Sequence, residues 1–380
     1  MKILILGSVA LPVPPPFQGG TERVAYAQAI GLSNNGHDVT LVAAKGSLVS
    51  DHYRLVQIGG GDTVVGASLL SSRPLSRDPV RKEDGFRVKP GMTNDTEFVE
   101  SSRKLRSEMA YLTQVLGWME EHAREFDVVI NNMRGGEVLF HQHAQKLTKA
   151  YVNVMHLPMF ASLADICGQY NTPLISISNA QRRAFPHLNY VGTVYNGVDI
   201  ADFPFESTSG DYLLMMGSIT PHKNQACGIA VAKTLGMKLI LAGKIGDPAY
   251  YAKEIAPFID GTNVLHHGEL GMAEKVELYK NAKALLFPVL WEEPFGLVMI
   301  EAMACGTPVV AFGRGAVLEV VVDGKTGFIV DMQEQMIDAV GKINVIDRAA
   351  CRGHVENNFT NEKMVDSLEA ALRERGGERA

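Results

Sequence analysis

Two glutamates separated by seven residues, in Glu293-Pro294-Phe295-Gly296-Leu297-Val298-Met299-Ile300-Glu301, form the most informative stretch of this chain. The apolar run Ala284–Leu290 before them reads as a buried strand, and Leu297–Ala304 has helical periodicity ending at Gly306. Glu293 then sits in the loop at the strand's carboxyl end and Glu301 about a turn and a half into the helix, so that both face one crevice. Open backbone N–H groups of Phe295, Gly296 and Leu297 point into that crevice, where the helix dipole favours a bound phosphate. Carboxylates at its flanks accept hydrogen bonds from sugar hydroxyls. These are the ingredients of a nucleotide-sugar site. The alternative is a helix-start acid followed by an unrelated surface glutamate, a common arrangement at this spacing.

The elements that must position these residues fall into two series. Strand Lys2–Leu6, helix Gly19–Asn34 and strand Asp38–Ala43 make a βαβ unit, the building block of a parallel sheet with helices on both faces. Further strands are expected at Asp127–Ile130, Tyr151–Met155 and Pro173–Ser178. The Gly-, Ser-, Arg- and Pro-rich stretch Gly59–Pro90 has no clear period and reads either as an acceptor-binding segment or as a disordered loop. After Pro204 the pattern restarts, with strands at Tyr212–Met216, Lys238–Ala242, Val264–His266, Ala284–Phe287, Pro308–Ala311 and Phe328–Val330. Helices are expected between them at Asn224–Leu235, Tyr250–Phe258, Ala273–Asn281 and Leu297–Ala304. The expected architecture is therefore α/β, with two doubly wound, Rossmann-like domains at 1–188 and 209–355 joined by a linker at 189–208. A last helix, Asn361–Arg373, carries Met364, Val365, Leu368 and Leu372 on one face. Ligands of open α/β sheets bind outside the carboxyl ends of the strands, so two such edges facing each other make a central cleft.

The stretch Trp291–Val330, WEEPFGLVMIEAMACGTPVVAFGRGAVLEVVVDGKTGFIV, resembles the donor-site signature of the retaining glycosyltransferases of family four, which have the two-domain GT-B architecture. Four further segments agree: GGTERV at Gly19–Val24, the turn His156-Leu157-Pro158, YNGVD at Tyr195–Asp199 and GSITPHKN at Gly217–Asn224. The resemblance covers nearly the whole chain and is specific for the family, not for the sugar. It implies a nucleoside diphosphate sugar as co-substrate, a hydroxyl acceptor (sugar, lipid-linked or small molecule) and no divalent metal. It also implies that the last helix, within 356–380, crosses back onto the first domain.

The candidate site residues then take roles. Gly19 and Gly20, after a Pro-rich loop and before a helix, let the backbone approach a phosphate or sugar closely; alone such a pair is more often just a turn. The resemblance gives His156, at the end of a strand, a hydrogen bond to the transferred sugar near its reacting carbon. Lys223 near a helix start places an ammonium on the diphosphate, and Ser218 stands where the family usually has an Arg, which removes a charge. His267, Gly268 and Leu270 lie where the resembling proteins seat the nucleobase. His266 and His267 are adjacent on a strand end and point in opposite directions, with no third ligand in register, which argues against metal. Lys244 reads equally as a phosphate ligand or a solvated loop cation. Gly313–Gly315 and Glu319 resemble the loop and helix beside the ribose, with a plain surface acid as the alternative for Glu319.

Composition excludes several classes. Lys plus Arg total 36 against 42 acidic residues, a net charge of −6, which argues against a nucleic-acid partner. No apolar stretch approaches the roughly 18–20 residues of a membrane span, and the N-terminus reads directly into a strand, turn and helix and not as a secretion signal. Four widely spaced cysteines without a C-x-x-C pair fit a reducing, cytoplasmic setting. A dinucleotide-dependent oxidoreductase is disfavoured: the first turn lacks G-x-G-x-x-G, and Ala43-Ala44-Lys45 stands where an acidic residue is needed. A non-catalytic sugar- or nucleotide-binding module of the same fold stays open, favoured only by Ser218.

Overall fold

The computed structural model describes residues 1–17, 19–60 and 95–377. The first domain is a seven-stranded sheet in the order β3-β2-β1-β4-β5-β6-β7, every neighbouring pair parallel. Its elements run β1 (Lys2–Ser8), α1 (Gly20–Asn34), β2 (Asp38–Ala43), β3 (Arg54–Gln57), α2 (Asp95–Glu121), β4 (Val128–Asn131), α3 (Glu137–Lys146), β5 (Ala150–Met155), α4 (Ala161–Gln169), β6 (Leu174–Ser176), α5 (Asn179–Arg182) and β7 (Tyr190–Thr193). The central strands are buried on both faces, which is why they read as continuous apolar runs.

The second domain has six parallel strands in the order β10-β9-β8-β11-β12-β13. It comprises β8 (Tyr212–Met216), α6 (Gln225–Leu235), β9 (Lys238–Ala242), α7 (Pro248–Tyr250), β10 (Val264–His266), α8 (Met272–Lys280), β11 (Ala282–Phe287), α9 (Leu297–Ala304), β12 (Val309–Phe312), α10 (Val317–Val320), β13 (Gly327–Val330), α11 (Gln333–Gly341) and α12 (Arg348–Asn358). The helix expected at Tyr250–Phe258 is irregular, passing from one α turn through a π segment to a 3₁₀ turn. Pro257 has no N–H to continue the ladder there.

Several elements differ from the sequence reading. Tyr190–Thr193, expected in the linker, is the last strand of the first sheet: Leu174 pairs with Tyr190 and Ser176 with Thr193. Its four residues are all only half-buried, so it lacks the apolar run of an inner strand. The edge strand β3 was missed for the same reason, and α2, α3, α4, α11 and α12 were not anticipated. Most of the Gly59–Pro90 stretch, from residue 61 onward, lies outside the described residues.

The chain returns to the first domain through α13 (Asn361–Gly377), which packs on α1, β5 and β7. Where it crosses, the backbone runs beside the outgoing linker: Val198 N–H donates to Phe359 O at 3.0 Å and Asn361 N–H to Val198 O at 3.1 Å. A Cβ on Gly197 would lie 2.3 Å from Thr360 O, so the two connections touch only because residue 197 has no side chain. The same close packing recurs at Gly31 of α1, where an added Cβ would fall 2.4 Å from Val365 Cγ2 of α13. Val365 is β-branched and stiff at χ1, so it cannot swing away. Gly31→Val is therefore expected to cost about 1–3 kcal/mol of stability by overpacking, seen as a lower midpoint in urea. Adding Val365→Ala should restore part of the loss; independent, additive effects would show that the two helices do not meet there.

Candidate active site

The two sheets present their carboxyl ends to each other, and the cleft forms at their switch points. In each sheet the order reverses beside the first strand, between β1 and β4 and between β8 and β11, the place where open α/β sheets bind ligands. A cavity of about 210 Å³ there is lined from the first domain by Gly20, Thr21, Arg134, His156 and Ile177, which follow β1, β4, β5 and β6. From the second domain come Met216 and Gly217 at the end of β8, Lys223, Phe287, and the run Glu293 to Val298. Residues some 270 positions apart in sequence thus share one wall-to-wall space, and a Cβ on Gly20 would lie 3.0 Å from Leu297 Cδ1 across it.

Glu293 and Lys223 are the charged centre of this cavity. Lys223 Nζ donates to Glu293 Oε2 at 2.6 Å, and Trp291 Nε1–H donates to the same oxygen at 2.9 Å. The ammonium also lies 5.3 Å from the Phe287 ring centre and 5.1 Å from that of Trp291, within cation–π range. Gly315 fixes the Glu293 backbone from behind. It has φ +57°, a Cβ there would meet Glu293 O at 2.2 Å, and Ala316 N–H donates to that carbonyl at 2.9 Å. Gly296 caps α9 with φ +85°, and a side chain there would strike Met299 and Phe287. Phe295 itself is buried, its ring 6.1 Å from Tyr195 and 5.9 Å from Phe359.

Glu301 lies in α9 behind Leu297. Its Oε1 accepts from Lys275 Nζ at 2.6 Å and its Oε2 from Tyr279 Oη at 2.7 Å. It lines a second, larger cavity of about 540 Å³ together with Met272, Arg23 and Asp199. The two glutamates therefore open into neighbouring cavities that share Leu297, instead of one crevice. The reason is helical: Leu297 and Glu301 are four residues apart on one face of α9, while Glu293 precedes the cap.

His156 sits at the end of β5, enclosed by protein but with an edge open to the cavity. Its Nε2 is 2.8 Å from Asn132 Oδ1, and the Asn132 amide donates to Gln28 Oε1 at 2.8 Å. The asparagine oxygen thus faces the ring, so Nε2 carries the proton and Nδ1 the lone pair. Burial, with the Arg134 charge, lowers the His156 pKa from 6.5 to about 3.

Other expected residues are placed less directly. Ser218 is half-buried and does not line the cavity; its neighbour Gly217 does, and the Ser218 carbonyl accepts from Gln225 Nε2 at 3.0 Å. Gly19 stands at the start of α1, its carbonyl accepting from Arg23 N–H. His267, Gly268 and Leu270 form the loop after β10, at the same edge of the sheet, but line neither cavity. His266 is held by Gly243 O at 2.8 Å and Tyr251 Oη at 3.3 Å. Among the described residues no group of three or more His, Cys, Asp or Glu could hold a metal, and no helix is long and apolar enough to cross a membrane. Sequence reasoning passed over Lys275, Asn132 and Arg134. Each is brought in by the fold from a loop or helix without a motif of its own.

Residues 200–346, most of the second domain, match the family model described as glycosyl transferases group 1. An uncharacterized glycosyltransferase of Methanocaldococcus jannaschii is 24% identical over 94% of this chain and 92% of its own length. A 41.2 kDa protein of the Klebsiella pneumoniae cps region is 28% identical over 165 residues, 41% of this chain and less than half (44%) of that protein. The crystal structure of Anabaena HepE in complex with UDP-glucose superposes with a TM-score of 0.69 at 17% identity, covering 98% of this chain and 100% of that one. The fold is that of the GT-B glycosyltransferases.

The His156 network has a measurable consequence. Because folding depresses this pKa, the unfolded chain takes up the proton first, so the stability tied to this group is complete above about pH 6.5 and declines as the pH falls toward 3. The His156 ring should show no titration between pH 5 and 8 by NMR; a midpoint near 6.5 would contradict the enclosed, neutral ring.

Proposed function

We propose that this chain is a retaining glycosyltransferase that moves a sugar from a nucleoside diphosphate donor to a hydroxyl acceptor. The observation that carries the reading is the Lys223–Glu293 pair at 2.6 Å, set beside the N-terminus of α9 and facing His156 across the cavity. In this reading Lys223 and the N–H groups of Phe295, Gly296 and Leu297 hold the diphosphate, with the Ser218 loop beside them. Glu301 binds the ribose, Glu293 and His156 Nδ1 take sugar hydroxyls, and the His267–Leu270 loop lies toward the base. Glu293 changes partner as the donor arrives: its lysine turns to the phosphate and its carboxylate to the sugar.

The bond from the anomeric carbon to the diphosphate oxygen breaks while the acceptor oxygen attacks from the same face, and the acceptor's proton passes to the leaving phosphate. Among the described residues the carboxylate lining the cavity is Glu293, and its Oε2 is tied to Lys223 and Trp291, which favours this route over a glycosyl-enzyme. The charge developing on the diphosphate is met by a fixed ammonium and fixed N–H groups, the kind of preorganised stabilisation that carries much of enzymatic catalysis. We propose that these groups take the place of a divalent metal and that the protein acts in the cytoplasm.

Release of nucleoside diphosphate from nucleotide sugars, with NMR of the product's anomeric proton, tests the reaction. Inversion at the anomeric carbon would refute retention, and diphosphate binding without any turnover would point to the non-catalytic module. The two glutamates should also fail differently. Losing a hydrogen bond to a charged group costs roughly 1.5–3 kcal/mol, so Glu301→Ala is expected to weaken nucleoside diphosphate binding about ten- to a hundredfold. Glu293→Ala should not weaken it, since Lys223 is released, while turnover falls. Calorimetry showing equal losses in both would overturn the assignment.

A further inference from the structure

Glu22 is the most enclosed carboxylate among the described residues, 2% exposed at the third position of α1. Its Oε1 accepts from Ser8 Oγ at 3.2 Å. Its Oε2 has no hydrogen-bond partner among the described residues. The nearest cation, Arg134 Nη2, stands 3.7 Å from Oε2, beyond hydrogen-bond reach. A buried acceptor left in this state is costly unless something else fills it.

The space beside it has the size and lining to be filled. Ser8, Thr21, Glu22, Glu108, Asn132 and Arg134 line a cavity of about 20 Å³, room for a single hydroxyl or water. An oxygen lying about 2.8 Å from both Glu22 Oε2 and Arg134 Nη2 closes the 3.7 Å gap. A hydroxyl suits that position because it donates to the carboxylate while accepting from the guanidinium. Thr21 and Arg134 also line the larger cavity that holds Lys223, Glu293 and His156, and Asn132 joins the two spaces through its bond to the His156 ring. The Arg134 side chain is 38% exposed, so a ligand in the cleft reaches it without rearrangement.

The charge balance selects the ligand. Two carboxylates, Glu22 and Glu108, face one guanidinium, and burial raises the pKa of Glu108. A phosphate or carboxylate entering here would meet like charge. We infer that Glu22 and Arg134 form the subsite for an uncharged, hydroxyl-bearing acceptor, a sugar ring or comparable polyol, anchoring one hydroxyl so that another lies against the reacting side of the cleft. The inference rests on the glycosyltransferase reading.

The test uses the full chain saturated with whichever of uridine, guanosine or adenosine diphosphate it binds, which occupies the donor half. Methyl α-glycosides of glucose, galactose and mannose, and glucose 1-phosphate, are then titrated by ligand-observed NMR. At least one neutral glycoside should bind more tightly than glucose 1-phosphate. Glu22→Gln and the more exposed Arg134→Leu should each weaken that glycoside about tenfold or more, while the diphosphate affinity, measured in parallel, shifts less than twofold. Failure of every diphosphate to bind the unaltered chain would sink the donor reading itself. With the diphosphate bound, absence of glycoside binding, tighter binding of glucose 1-phosphate, or equal glycoside affinity in both variants would overturn the acceptor subsite and leave Oε2 to a trapped water.

Discussion

The cleft exists only while two separately folded sheets keep their carboxyl ends opposed, and one carboxylate does much of that work. Glu319, on α10 of the second domain, accepts from Asn179 N–H at 2.8 Å, Ala180 N–H at 2.6 Å and Tyr195 Oη at 2.8 Å. The first two are open donors at the start of α5 in the first domain, and the third lies on the linker. A carboxylate on free helix N–H groups is a favourable match of charge and dipole. Tyr195, its pKa pushed up to about 12 by burial and by Glu319, stays a donor throughout the physiological range. Its ring also meets Phe295 beside the α9 cap and Phe359 at the crossing, so one residue ties the domain contact to the turn before α9. Three hydrogen bonds and an aromatic trio are enough to set an orientation yet few enough to break.

Within the cleft the governing constraint is burial of charge. Glu293 and Glu301 are 7% and 4% exposed, and a carboxylate that enclosed costs several kcal/mol unless it is paired and hydrogen-bonded. Each has taken a lysine at 2.6 Å and one further donor, Trp291 or Tyr279. Such pairs add little net stability. They keep two acceptors desolvated and aimed before any ligand arrives, so that less reorganisation is left for binding. The lysine on Glu293 is the more exposed of the two, at 22% against 17% for Lys275, and it lines the cavity together with the N-terminal turn of α9.

What was legible in the sequence follows from range. Strands buried on both faces announce themselves as apolar runs, so β1, β2, β8, β9 and β11 were located within a few residues, and α9 was placed end to end. β3 and β7 lie toward the sheet edges with half-exposed residues, and their assignment depends on the neighbour they pair with, which no local pattern encodes. The same holds in the site. Glu293, Lys223 and His156 announce themselves through motifs beside strand ends. Lys275 and Asn132 matter only because α8 and β4 bring them to Glu301 and His156, 26 and 24 residues away in sequence. Glu319 was read as a ribose-side residue or a surface acid, and its partners lie about 140 positions upstream.

At Ser218 the residue that a motif points to and the residue that lines the cavity are neighbours and not the same. Aligning it with a usual arginine suggests a missing charge at the diphosphate, yet Gly217, with φ +140°, is the residue of that turn that lines the cavity. Lys223 lines the same cavity, its ammonium fixed by Glu293 and two aromatic rings. Across the cleft the first domain brings one further guanidinium, Arg134. Glu22 stands 3.7 Å from it. The two domains thus line the cavity with different groups: the second brings an ammonium and the N-terminal turn of α9, and the first a neutral histidine and a guanidinium that stands near a buried carboxylate.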